Sequence, residues 1–213
     1  MIFDKKSLLL YIVTDRSWLG EKCLSKQVEE SIENGATFVQ LREKDVSFEE
    51  FTAIAREIKS VCVRHNVPFV INDNIDVALA VDADGVHIGQ SDISLTRART
   101  QLGHGKIIGV SAGSLEEALN AKESGADYIG VGAVFPTGTK KDADYVSIEL
   151  LKKIVESVNI PTVAIGGISE DNMSELTGSG IDGVAVISAV FAQKNIAKAT
   201  KNLKTLAEKV VSS

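Results

Sequence analysis

A single (β/α)8 barrel over residues 1–213 is the fold that three features of the sequence predict. Eight short runs rich in valine and isoleucine alternate with amphipathic stretches of helical period. The segments NGATFV, DADGVHI, SGADYIG and SGIDGVA each place glycine or aspartate turn chemistry directly before a strand, as a helix end feeding a strand would. The units are evenly spaced and no linker or low-complexity stretch interrupts them. Near-continuous apolar strands separated by helices imply a parallel sheet covered by helices, and even spacing favours closure into a barrel over an open doubly wound sheet. At 213 residues the chain lies at the low end for barrels, so only short loops fit.

In chain order, LLLYIVTD (8–15) and FVQLRE (38–43) are apolar runs that turn polar at their ends. SFEEFTAIAREIKSVCVRH (47–65) returns apolar residues every three or four positions and predicts a helix. PFVIND (68–73), GVHIGQ (85–90) and KIIGVSA (106–112) are the next three strands. SLEEALNAKESG (114–125) is a helix whose Ser114 precedes an acidic first turn, as an N-cap should. YIGVGAV (128–134) and PTVAIGGI (161–168) follow as strands, SEDNMSELTGSG (169–180) as a helix capped by Ser169, and GVAVIS (183–188) as the eighth strand.

Composition narrows the function classes. With 44% hydrophobic residues the chain can bury a full core. Its 29 acidic and 23 basic residues give a net charge of −6 without any concentrated basic patch, which argues against a nucleic-acid partner. Cys23 and Cys62 sit in helix-like patterns without metal-ligand spacing, and read as reduced packing residues of a cytoplasmic protein. The apolar run in MIFDKKSLLLYIVTD is too short to span a membrane or direct export, so no membrane partner is expected.

Barrel chemistry sits at the C-terminal ends of the strands, and those ends are polar here. Side chains alternate along a strand, so Gln40, Arg42 and Lys44 share one face while Leu41 and Glu43 take the other. If Gln40 faces the interior, both cations point into the mouth. The alternative is that they are solvated rim charges or pair with Glu43. Lys140 in another loop and glycine-rich turns at further strand ends favour a polyanionic ligand.

Asp73 and Asp92 close adjacent strands, which run about 5 Å apart in a barrel, so the two carboxylates could share one cation. Mg2+ suits one or two carboxylates supplemented by water and phosphate oxygens. An Asp after a strand also serves as turn former or helix N-cap, and spacing leaves both readings open. GGI after strand seven and VIS after strand eight match the place where barrels commonly hold a phosphate, and Gly167 there allows close approach of the backbone.

QLREK, IND, HIGQSD, GVSA, GAVFPTGTKK, AIGGI and GVAVISA occur in this order over nearly the whole chain. Together they resemble the thiamine-phosphate synthase (thiamine-phosphate pyrophosphorylase) family. The resemblance implies a (β/α)8 fold and a magnesium-dependent joining of 4-amino-5-hydroxymethyl-2-methylpyrimidine diphosphate to a thiazole phosphate, with release of pyrophosphate. It assigns Gln40, Arg42, Lys44, Asn72, Ser111 and Lys140 to the pyrimidine diphosphate, with Arg42, Lys44, Ser111 and Lys140 acting in catalysis. Asp73 and Asp92 become the Mg2+ ligands, and Thr137, Gly138, Thr139, Gly167, Ile187 and Ser188 the site for the thiazole phosphate.

One position departs from the pattern. After GVSA the family often has histidine or another polar side chain, whereas this chain has Gly113. A sister family, the thiazole tautomerases, uses a histidine near that position, so Gly113 argues for the synthase. A silent phosphate-ligand sensor on the same scaffold is the alternative from another class; it would need neither Asp73, Asp92 nor Lys44. His87, inside strand four, is expected to be a packed, hydrogen-bonded histidine. PTGTKKDADYV (136–146) is the expected mobile lid.

Overall fold

All eight expected strands form, in a computed structural model that describes residues 3–20, 22–137 and 145–212. They are β1 (Leu10–Val13), β2 (Phe38–Leu41), β3 (Phe69–Asn72), β4 (Gly85–Ile88), β5 (Ile107–Ala112), β6 (Tyr128–Val131), β7 (Thr162–Ile165) and β8 (Gly183–Val186). Each pairs in parallel with its chain neighbour, and β8 pairs with β1 to close the barrel. The helices are α1 (Leu24–Glu33), α2 (Phe48–His65), α3 (Ile75–Ala80), α4 (Leu95–Leu102), α5 (Leu115–Glu123), α6 (Ile148–Val158), α7 (Ser188–Phe191) and α8 (Ile196–Val211).

Strand parity splits the apolar residues into two sets. Leu10, Ile12, Val39, Leu41 and Ile71 belong to the large core between the strands and the surrounding helices. Tyr11, Val13, Phe38, Val70, Tyr128 and Val163, at the alternate positions, form a separate cluster inside the barrel. Large and small residues interlock there. A Cβ on Gly109 of β5 would lie 2.1 Å from Cζ of Tyr128, so the missing side chain is the space the phenol ring occupies. Gly109→Ala is therefore expected to lower stability by about 1–3 kcal/mol through overpacking. Urea denaturation with an unchanged slope checks this, and an unshifted midpoint would mean the ring can step aside.

Ser114 caps its helix as expected, and Ser47 and Ser147 cap theirs in the same way. Ser47, Ser114 and Ser147 each accept the N–H of the third residue onward, from Glu50, Glu117 and Leu150. The helix expected over 169–180 does not form; only a short 3-10 turn at Met173–Leu176 is present. Its Ser169 N–H is taken by Oδ1 of Asn172, whose Nδ2 donates to the Gly167 carbonyl, so Ser169 is not a cap. Gly178 and Gly180, with φ of 70° and 77°, then turn the chain before a helix can lengthen. Cys62 is buried in α2, but Cys23 is exposed at the start of α1 and is not a packing residue. Among the described residues, no helix is long and apolar enough to cross a membrane.

Candidate active site

The polar strand ends converge at one mouth of the barrel. Gln40 continues the inward parity of Phe38; it is only 4% exposed, and its Nε2 donates to the Tyr11 hydroxyl at 2.5 Å. Arg42, two residues on, has its backbone N–H held at 3.0 Å by the hydroxyl of buried Thr14 at the end of β1. Glu43 takes the opposite side: its carboxylate, with a side chain 3% exposed, pairs with Nε of Arg16 at 2.7 Å. Arg16 also reaches Glu50 on α2 at 3.2 Å. Glu43 is thus committed elsewhere, and among the described residues neither Arg42 nor Lys44 forms an ion pair. Both charges act on Asp73, whose carboxyl they help to hold ionised.

Asp73 ends β3 in the left-handed conformation (φ 60°), which Asp tolerates better than most side chains. The N-cap role open to it is filled by the next residue, Asn74, which accepts the Val77 N–H at 2.9 Å. The Asp73 N–H goes to the His87 carbonyl at 2.9 Å, and Asn72 Nδ2 reaches both the Asp73 carboxylate and that same carbonyl. Asp92 follows β4, where it accepts the Gly89 N–H at 2.7 Å.

Desolvation of the Asp73 carboxyl, followed by the hydrogen bond and charge of Asp92, pushes Asp73 up to about 7. Two carboxyls that cannot both ionise comfortably are a donor set suited to a hard divalent cation, which would replace the shared proton. Among the described residues there is no cluster of three or more such ligands, so further positions would fall to water or substrate oxygens. The sign for the metal-free protein follows. Because the folded pKa lies above the ordinary 3.8, this group favours the fold at low pH, and that contribution is lost as pH rises from about 4 through about 7. Denaturation midpoints across that window are expected to fall less in Asp73→Asn than in the parent chain. Parallel pH profiles would show that the carboxyl ionises normally.

Ser111, near the end of β5, places its Oγ 3.0 Å from Nε2 of His87, and its carbonyl accepts Gln90 Nε2 at 2.6 Å. His87 is packed and hydrogen-bonded, as expected of a strand histidine. After β7, Gly166 and Gly167 both have positive φ, 99° and 65°. A Cβ on Gly167 would sit 2.4 Å from the Pro136 carbonyl oxygen, so this turn lies directly on the loop after β6. Thr137 is partly buried in that loop. Ile187 continues the inward parity of β8 and packs on the interior cluster, while Ser188 is exposed at the start of α7. Gly138, Thr139 and Lys140, and most of the expected lid at 136–146, lie outside the described residues.

Motif reading passed over Tyr11 and Tyr128. Both are buried phenols inside otherwise apolar strands, and their hydroxyls meet at 2.8 Å. The available signal was the polar tip itself, since a tyrosine in the middle of a buried strand needs a partner.

A profile described as thiamine monophosphate synthase matches residues 10–190. Thiamine-phosphate synthase of Clostridium tetani is 52% identical over 194 residues, covering 91% of this chain and 93% of that protein. The enzyme of the same name from Clostridium botulinum is 49% identical over 201 residues, with 94% of each chain covered. The solved thiamine phosphate pyrophosphorylase of Pyrococcus furiosus superposes with a TM-score of 0.90 at 44% identity, covering 97% of this chain and 98% of that one. The tautomerase alternative is not favoured: Gly113 offers no side chain, and its N–H is taken by Glu117 at 2.6 Å. Sequence profile, half-identical relatives matched nearly end to end and a shared barrel agree, and the chain belongs to the thiamine-phosphate synthase family.

Proposed function

We propose that the protein joins 4-amino-5-hydroxymethyl-2-methylpyrimidine diphosphate to a thiazole phosphate, yielding thiamine phosphate and pyrophosphate. The observation that carries the reading is a pair of cations, Arg42 and Lys44, that have no ion-pair partner among the described residues and act on Asp73 beside Asp92 at the mouth. A diphosphate is the ligand chemistry that satisfies both halves, needing cations of its own and a divalent metal to bridge to carboxylates.

Asp73 and Asp92 would hold Mg2+, which when bound draws off negative charge from the departing diphosphate oxygens. Arg42, Lys44 and Lys140 do the same from the protein side as the bond to the pyrimidine methylene breaks. Gln40, Asn72 and Ser111 hold the pyrimidine half. Thr137, Gly138, Thr139, Gly167, Ile187 and Ser188 receive the thiazole phosphate, so that its ring nitrogen stands ready for the cationic methylene left behind. Holding two substrates side by side supplies proximity, and neither a nucleophilic side chain nor a strong base is required. The net charge of −6 and the free cysteines support a cytoplasmic setting, with small phosphorylated molecules rather than nucleic acid or membrane as partners.

Purified protein mixed with both substrates and Mg2+ is expected to release pyrophosphate only when all three are present. Binding of both substrates without turnover would overturn the reading.

A further inference from the structure

We propose that Tyr128 and His87 are positioning residues in a one-way hydrogen-bond chain through the barrel interior. The chain turns the Ser111 hydroxyl hydrogen and the Gln40 amide oxygen toward the pyrimidine diphosphate, and the ligand's identity rests on the function proposed above. Four contacts join five strands. Gln40 Nε2 (β2) lies 2.5 Å from Oη of Tyr11 (β1), and the Tyr11 and Tyr128 (β6) hydroxyls are 2.8 Å apart. Tyr128 Oη is 3.0 Å from Nδ1 of His87 (β4), and His87 Nε2 is 3.0 Å from Oγ of Ser111 (β5).

Counting hydrogens gives the chain its direction. An amide nitrogen only donates, so Tyr11 accepts from Gln40 and must give its single hydrogen to Tyr128. Tyr128 then gives its own to Nδ1 of His87. A neutral imidazole that accepts at Nδ1 carries its hydrogen on Nε2 and donates it to Ser111. The serine hydroxyl, already an acceptor, has its own hydrogen left to present to an anion.

Burial drives the ionisation of both phenols upward, so each keeps the hydrogen it passes on. A doubly protonated His87 would leave the Tyr128 hydrogen without an acceptor inside a closed core, where an orphaned donor is costly. With one amide hydrogen spent on Tyr11, the orientation of the Gln40 amide is fixed and its oxygen is left as an acceptor, which suits a ring amino group. Both ends of the chain are therefore set by residues that need not touch the reacting atoms.

Nitrogen-15 NMR of the full chain, labelled at histidine and kept mildly alkaline, reads the arrangement directly. His87 is expected as the Nε2–H tautomer with Nδ1 unprotonated. Tyr128→Phe keeps the ring and removes the donor to Nδ1. It should erase that tautomer signature and raise KM for the pyrimidine diphosphate about tenfold, the size of one lost hydrogen bond, while leaving KM for the thiazole phosphate unchanged. Adding Ser111→Ala to Tyr128→Phe should cost much less than it does in the parent chain. An Nδ1–H tautomer in the parent, an unmoved signature in Tyr128→Phe, or equal effects on both substrates would overturn the proposal. The tautomer is read without turnover, so a chain that proves inactive would defeat the synthase reading while leaving this test intact.

Discussion

Lys44→Ala is expected to lower kcat by about a hundredfold or more, the cost of removing one donor that acts as charge develops in the transition state. Its ammonium has no carboxylate partner of its own among the described residues, because the neighbouring Glu43 is held by Arg16. Among the described residues, loss of the side chain therefore breaks no ion pair. The variant should unfold at the same temperature as the parent, which separates a catalytic role from a structural one. Single-turnover formation of pyrophosphate, stopped by rapid acid quench, is the appropriate measurement, since it reports bond breaking rather than product escape. A kcat close to that of the parent, or a loss confined to KM, would return Lys44 to the solvated rim.

If Asp73 and Asp92 hold Mg2+ as proposed, Asp92→Asn should raise the magnesium concentration needed for half-maximal rate by about tenfold or more. Two effects arise together. One anionic ligand is lost, and Asp73, relieved of the Asp92 charge, returns towards ordinary carboxylate behaviour because that charge is among the causes holding it up. The second effect is visible without metal, as a downward shift of the Asp73 titration. An unaltered magnesium titration would remove Asp92 from the metal site.

The barrel was legible because strands buried on both faces cannot alternate polar and apolar residues, and so announce themselves as runs of valine and isoleucine. Parity within QLREK then separated Glu43 from Arg42 and Lys44, and the Glu43–Arg16 pair bears out that split. The failed helix over 169–180 shows the limit of periodicity: Met173 and Leu176 are buried at helical spacing, but Asn172 satisfies the turn at both ends and two positive-φ glycines close it. The inward phenols escaped notice for another reason. Which residue faces Tyr11 depends on the register that sets Val13 opposite Gln40, and on a closure that brings β6 across from β1. Those are properties of the assembled cylinder, invisible in any one segment.

Arg16 grips Glu43 and Glu50 together, and Thr14 grips the Arg42 backbone, so the loop after β1 is fastened to the loop after β2 and to the first turn of α2. On the function proposed above, the Arg42 guanidinium that holds the diphosphate is thus carried on a loop tied to its neighbours. On that reading both loops would have to shift together for product to leave on that side, with Arg16, which has no assigned contact to either substrate, as the tie between them.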